Sequence, residues 1–574
     1  MQYLPGVPRG VLVMQKWWIT VVIAVLVATT VAAQAIDRPG HIIVNSEDWT
    51  DVYSVLQFGQ LQGIPTSFLV SDRHGPLLLN SIAKQTSIEI ISSQNRPYFI
   101  GYESYAQGRG YSAIEVSYPS INLELARQLT TIKNFIIIDN AYGYNAISVA
   151  PYAIKSNSYV LFASAENIDD VVDFLTERQP EKILIYGSID RQVTSGLSQF
   201  SPEIINFDGD RFANNVGILK KYQELTGGAK QVILSNGEFI EKEMMNGVEP
   251  VVFIGSTNVP DIIKDYIKQS GIQIGILIGN ELVGTATTIR RQIGISVFVK
   301  FAQGARNPTD AISAVEGLDL FYLPTYNLNL QIQSMKLNRA TKQLEVTLEN
   351  TVEQAIYFKG TYTLTTADGA RVVVGDALAE FIGGQETKTL VYDVEGLGEG
   401  DITGRAFVVY GESKNALEKA IDGTFKVDVI DIVDRCELTF GPTASFNPGR
   451  QVVTVTLENK GPVDCYAQVE LQDLVVAGER QTFSIDTPVL IKVGGSRDVR
   501  VKTTLEKEDF ESNSEIHVRA YYGERETSLV KFIDGKMQLL LASGDIWFYS
   551  LLVIIIALVI FIIWRRRQMK NEQQ

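Results

Sequence analysis

Ile136-Ile-Ile138, Tyr159-Val-Leu-Phe162 and Ile183-Leu-Ile-Tyr-Gly187 are three short apolar runs that decide how this chain folds. Runs so rich in Ile, Leu and Val fit parallel strands buried on both faces. Similar runs recur on either side. Upstream stand Ile42–Val44, Ser67–Val70 and Tyr98–Gly101; downstream stand Val232–Leu234, Val251–Ile254 and Gly275–Gly279. The copies are offset by about 85–96 residues, which marks a repeated structural unit. Between strands, Asp169–Leu175 (DDVVDFL) and Asp261–Ile267 (DIIKDYI) show helical apolar spacing behind acidic starts. Strand and helix in alternation predict an α/β head of three doubly wound units, at about 41–120, 121–205 and 206–305, packed around a pseudo-threefold axis. Stacked copies of one unit more often make a binding platform than a catalyst.

After Arg306 the texture changes. Asn307-Pro308 closes the last helix-like stretch, and 306–325 reads as a linker. Beyond it the pattern alternates with period two. Gln343–Asn350 (QLEVTLEN) is echoed by Val452–Asn459 (VVTVTLEN) at an offset of 109 residues. Tyr410-Gly411-Glu412 is echoed by Tyr522-Gly523-Glu524, and Ile421-Asp422-Gly423 by Ile533-Asp534-Gly535, both at 112. Two all-β domains follow, at 326–430 and 431–536, with the strand and turn pattern of immunoglobulin-like sandwiches. Tandem domains of this kind are expected to act as a stalk.

The chain ends place this platform outside a cell. Lys16, the apolar stretch Trp17–Val31 and Ala33-Gln34-Ala35 make residues 1–35 a secretory signal, with a retained anchor as the alternative and either Met1 or Met14 as the start. Ile546–Trp564 is uncharged and long enough to cross a bilayer as one helix. Arg565, Arg566 and Arg567 follow it, so the tail 565–574 is expected in the cytoplasm. The expected location is the cell membrane, single-pass, with the N-terminal mass extracellular. Cys436 and Cys465 are the only cysteines. An oxidising exterior favours a disulfide between them, and two free buried thiols are the alternative. Closing that loop would stabilise the fold by about 3–4 kcal/mol in the chain-entropy model.

Charge narrows the partners. The net charge is −15; without the two positives of the leader and the net +3 of the tail, residues 36–564 carry −20. Such a surface repels phosphate backbones, which argues against nucleic acid. The only Asn-x-Ser/Thr match, Asn307-Pro308-Thr309, contains the forbidden proline. An acidic exterior without a glycosylation acceptor fits a prokaryotic envelope.

Repeat two reads Asp139-Asn-Ala-Tyr-Gly-Tyr-Asn145-Ala-Ile-Ser-Val-Ala-Pro-Tyr-Ala153, then Tyr159–Phe162, then Ile183–Gly187 with Val193. This resembles the second type of cell-wall-binding repeat, with its D-A-L-S-A-A-P-L-A helix, P-I-L-L strand and G-G-x-x-x-V turn. Asp48-Trp-Thr-Asp51-Val-Tyr-Ser54 and Gly63-Ile-Pro65 carry the likeness in repeat one, and Asp210-Arg211-Phe212 with Gly279 and Val283 in repeat three. Asn145 stands where the family has aspartate, and the P-I-L-L element reads SFLV, YVLF and PVVF here. The resemblance implies pseudo-trimeric α/β packing and noncovalent binding of anionic wall polymers. A membrane-rooted stalk beneath such a head suits an archaeal or other wall-poor envelope.

Catalytic motifs are weak. Gly279–Gly284 has the span of a phosphate loop, but Thr285-Ala286 replaces the Lys-Ser/Thr pair, leaving a strand-to-helix turn. Asn206, Asp208 and Asp210 have calcium-loop spacing, but Arg211 occupies the glycine position and a capped turn is the simpler reading. Three scattered histidines (His41, His74, His517) offer neither a metal set nor a triad, so no cofactor and no catalytic residue is assigned. The candidate ligand residues are Asp51 and Asn145, at matching helix positions, and Tyr102 and Tyr105 in an aromatic stretch suited to sugar stacking. Helix capping and loop packing are their alternative roles. The expected function is a surface protein binding envelope glycopolymer or surface-layer protein. A spacer or homo-oligomerising layer component, and a glycan- or peptide-acting enzyme, are the alternatives.

Overall fold

Most of the apolar runs become strands of parallel sheets in the computed structural model, which describes residues 38–279, 282–301, 304–306, 315–396 and 402–542. The leader, Ile546–Trp564 and the tail lie outside these residues. Among those described, no helix is long and apolar enough to cross a membrane. The chain divides into two compact units, before and after Ser120.

In the first unit the sheet order is Thr66–Phe68, His41–Asn45, Ser87–Ser93, Ser112–Tyr118, all parallel. Ile42, Ile43 and Val44 are completely buried at its centre. The helix Trp49–Gln62 starts because the Asp48 carboxylate accepts the Thr50 N–H at 2.9 Å, and it stops at Gly63, whose φ of +65° suits glycine. One expectation is corrected. Tyr98–Gly101 is a loop, and Ser87–Ser93 is the third strand. Pro97 has no N–H to give a ladder, and the main chain of Phe99 is already bonded both ways to the Asn45 side chain (2.9 and 2.8 Å).

The second unit holds two more sheets of the same order: Ser158–Phe162, Asn134–Ile138, Lys182–Tyr186, Glu203–Ile205, then Val251–Phe253, Gln231–Ser235, Ile274–Ile278, Ser296–Lys300. Each repeat therefore has four strands, one more than the apolar runs predict. An asparagine, half-buried at Asn122 and fully buried at Asn215, keys each of these two sheets to its leading helix. The Asn122 amide donates to Val160 O at 2.9 Å and accepts from Phe162 N at 3.2 Å. Asn215 does the same to Val251 O (3.0 Å) and Phe253 N (3.0 Å). Asn215 also donates to Ser148 Oγ at 2.7 Å, joining repeat three to the helix Tyr144–Lys155 of repeat two. Left unpaired, the buried Asn215 amide would destabilise the fold by about 1–3 kcal/mol.

Repeat three departs from its sisters after its first strand. Where repeats one and two have a helix, it has the strand Phe239–Ile240 and the 3-10 turn Lys242–Met245. Gly237 bends the chain at φ +79°, against Phe253 and Tyr144. Phe239–Ile240 then pairs antiparallel with Phe321–Tyr322, so the end of the expected linker is a strand of the head.

The two β-domains share one topology. In the first, the order is Arg371–Gly375, Ile356–Thr366, Ile402–Gly411, Lys419–Ile430, Leu330–Asn338, Gln343–Asn350, Thr387–Asp393, with Glu380–Ile382 beside Ile356–Thr366. The second repeats it strand for strand. Both are single curled eight-stranded sheets, because the strand Lys419–Ile430 is long enough to serve both layers. Its first part pairs antiparallel with Ile402–Gly411 and its end pairs parallel with Leu330–Asn338. Val452–Asn459 alternates buried and half-buried residues, as one core face requires. Its counterpart Gln343–Asn350 is buried on both faces, because the second β-domain packs on it through Arg525 and Ser528.

Cys436 and Cys465 are fully buried and form the disulfide, with Cα atoms 5.6 Å apart and a sequence separation of 29. Replacing both with alanine is expected to lower the stability of the second β-domain by about 3–4 kcal/mol. Hydrogen exchange of peptides within 438–541 measures this directly. Unchanged exchange would show that the sheet holds without the crosslink.

Candidate functional site

Doubly wound sheets hold ligands at the carboxyl ends of their strands, where the chain order reverses. Each sheet here has that crevice beside its first and third strands. In repeat one, Asp51 accepts from Ser46 Oγ at 2.8 Å and also bonds Ser93 at the end of the third strand. Burial pushes the Asp51 carboxyl up to about 6, against the lowering effect of those bonds. The loop Arg96–Phe99 crosses the same strand ends, held by Asn45 and by Glu47 N to Arg96 O at 2.8 Å. In repeat two, Asn145 lies against Gly187, the turn glycine after the third strand. Asp51 and Asn145 each lie beside the end of the third strand of their own sheet. Tyr102 is fully buried, its hydroxyl donating to Gly75 O at 2.8 Å, so it offers no face to a ligand. Tyr105 is half-buried, stacked on Tyr102, with the Arg109 guanidinium 5.1 Å from its ring centre.

In repeats two and three the chain itself fills this region. Leu323 packs on Gly143 so closely that a Cβ there would sit 2.3 Å from it. Tyr326 lies 4.2 Å from Tyr142 and 5.4 Å from Tyr144, ring centre to ring centre, and its N–H donates to Tyr144 Oη at 3.0 Å. In repeat three, Asn258 N donates to Glu418 O at 2.8 Å and Asn258 Nδ2 to Leu417 O at 2.6 Å, with Gly255 too close to Glu418 to carry a side chain.

At the centre of this contact is Arg211. Asp210 caps its helix by accepting from Phe212 N and Ala213 N, both at 2.9 Å, and takes Ser413 Oγ on its other oxygen at 2.7 Å. That cap aims Arg211 into the first β-domain, where it is 4% exposed. Its Nε lies 3.0 Å from Glu412 Oε1, and its Nη2 bonds Glu418 directly. Its guanidinium stands 3.9 Å from the Tyr144 ring centre. Burial alone would lower the Arg211 pKa, but Glu412 and Glu418 hold it above the ordinary value. Burial drives Glu412 up to about 8, with Arg211 opposing and Glu418 and Asp210 adding to the rise. Burial thus favours the neutral form of Glu412, while Glu418 bonds Arg211 directly.

A second buried cation joins the two β-domains. Lys388 lies 3.1 Å from Glu470, 3.6 Å from Glu380 and 4.2 Å from the Tyr521 ring centre. Repeat two also reaches the second β-domain directly, through Arg191 to Asp509 at 2.8 Å and Glu506 at 3.3 Å. The β-domains therefore pack against each other and against repeats two and three, rather than trailing below them as a simple stalk.

Where repeat three and both β-domains meet, a cleft of about 520 Å³ opens. Phe207, Asp208 and Asp210 line one wall, Tyr357, Glu412 and Lys414 another, and Asp473, Glu479 and Arg480 a third. Much of this lining ties the walls together. Asn206 donates to Glu479, Arg480 N to Asp208 Oδ1 at 3.4 Å, and Lys414 pairs with Asp473 at 2.6 Å. The calcium-like spacing of Asn206, Asp208 and Asp210 is thus used for a turn, a wall contact and a helix cap. Sequence reading passed over Glu412 and Glu418 as functional positions. The repeated Tyr-Gly-Glu was their signal: Glu524, its second copy, is more exposed and accepts from Arg435 N at 2.5 Å.

No family model and no curated protein matches the sequence. Among solved structures, Cwp8 from Clostridium difficile is similar over 45% of this chain and 48% of its own, at 15% identity and a TM-score of 0.37. The periplasmic chaperone SfaE matches over 38% of this chain and 100% of its own, at 14% identity and a TM-score of 0.13. The ligand-binding region of serine-glutamate repeat protein A of Enterococcus faecium matches over 19% and 99%, at 9% identity and a TM-score of 0.15. This chain spans about half the length of Cwp8.

Replacing Arg211 with methionine leaves Glu418 buried without its partner and is expected to lower stability by about 3–5 kcal/mol, read from denaturant unfolding. A pH dependence follows from Glu412. Its folded value lies above the ordinary carboxyl value, so its contribution is complete below about 4.5 and is lost as pH rises through about 8. Exchange protection of 257–258 and 417–420 should fall between pH 5 and pH 9, and Glu412→Gln should flatten that fall. An unchanged slope in the variant would assign the pH dependence elsewhere.

Proposed function

We propose that this is a single-span cell-surface protein that binds envelope glycopolymer or surface-layer protein noncovalently, without turnover. The carrying observation is the filling of the strand ends in repeats two and three by Leu323, Tyr326 and Glu418. Where a doubly wound sheet would hold a small substrate, this chain holds itself. Its remaining surface suits a large partner. The buried disulfide supports passage through an oxidising compartment, in keeping with the leader and the apolar run of the sequence. The cell-wall-binding-like repeats form the head, and the curled sheets are read as immunoglobulin-like domains that brace it above the membrane.

A second reading has its own support. The buried ion pairs that join the domains fit a spacer or self-assembling layer component as well as a binder. The full chain in detergent, mixed with isolated envelope before and after enzymatic deglycosylation, separates the two. Saturable binding that disappears with the glycan supports the polymer reading, and binding that survives points to a protein partner. Absence of binding, with concentration-dependent self-association, would replace both with the assembly role.

A further inference from the structure

The sequence resemblance implies an anionic polymer as ligand, but the cleft between repeat three and the two β-domains has the opposite character. Asp208, Asp473 and Glu479 reach its surface, with Asp210 and Glu412 buried behind them, against Lys414 and Arg480, and Lys414 already pairs with Asp473. The surface carboxylates outnumber the cations, so this lining does not favour a phosphate- or carboxylate-bearing chain. What the cleft offers is an aromatic platform. Phe207 is 53% exposed, and its ring rests on the helix Arg211–Thr226 at Gly217, where a Cβ would come within 2.9 Å of it. A glycine inside a helix weakens the helix, and here it makes room for the edge of the Phe207 ring. Tyr357 adds a second ring, and Gln354, Asn415, Gln481 and Thr482 supply amides and a hydroxyl. The volume of about 520 Å³ accommodates one or two sugar rings.

We propose that this cleft is a saccharide subsite that takes a neutral or amino-sugar segment of an envelope glycan, with Phe207 as its stacking surface. The inference rests on the glycopolymer reading and names the site and the class of sugar. The apolar face of a pyranose lies on Phe207, its hydroxyls meet the amides and carboxylates, and an ammonium substituent gains from the acidic walls.

The test is binding of the full chain in detergent to isolated envelope, with competition by an N-acetylglucosamine tetrasaccharide, its de-acetylated cationic counterpart and poly(glycerol phosphate). Either tetrasaccharide should compete and the polyanion should not. Phe207→Ala should weaken envelope binding about tenfold, and Phe207→Trp, which keeps the platform, should restore it. Wild-type binding with full affinity retained in Phe207→Ala overturns the cleft and leaves the glycopolymer reading standing, with another surface responsible. Competition by poly(glycerol phosphate) alone overturns the assignment of sugar class. Absence of envelope binding by the wild-type chain removes the glycopolymer reading, and the cleft assignment with it.

Discussion

A buried positive charge needs a negative one, and in this protein the two come from different domains. Arg211 belongs to the helix that leads into repeat three, while Glu412 and Glu418 belong to the first β-domain. Neither side can be buried without the other, so repeat folding and domain docking are coupled. The aromatic rings of Tyr144 and Tyr326 complete the enclosure, and Tyr326 brings the chain leaving the head back across repeat two. Burial favours the neutral form of Glu412, which limits the charge enclosed beside Arg211.

The same logic recurs between the β-domains, where Lys388 and Glu345 sit at strand positions that a free-standing sheet would give to apolar or exposed residues. Their partners, Glu470 and Arg525, lie in the other domain. Two such locks turn tandem modules into one braced body. That body has an open cleft where three walls meet, and its floor and sides are set by residues that also hold the walls together.

Much of the architecture is legible along the chain. Ile136–Ile138 and its sister runs announce parallel strands, and the paired QLEVTLEN and VVTVTLEN segments announce the duplicated β-domain. The misreading of Tyr98–Gly101 is instructive. Its residues look like a strand, but Pro97 and the grip of Asn45 on Phe99 take away the main-chain groups a strand needs. Tyr102 was not separable from Tyr105, since burial distinguishes them and neighbouring aromatics in sequence look alike.

By itself the sequence determined the repeats, the two β-domains, the acidic net charge and the pairing expected of Cys436 and Cys465, because each is written in local periodicity, composition or count. Only the tertiary structure decided that Arg211 meets Glu412 and Glu418, that Leu323 and Tyr326 lie across repeat two, and that Phe207 faces a cleft. Those contacts join residues that are far apart in the chain, and no local pattern encodes a distance between them. A charge or an aromatic ring reads the same in sequence whether water or a buried partner surrounds it.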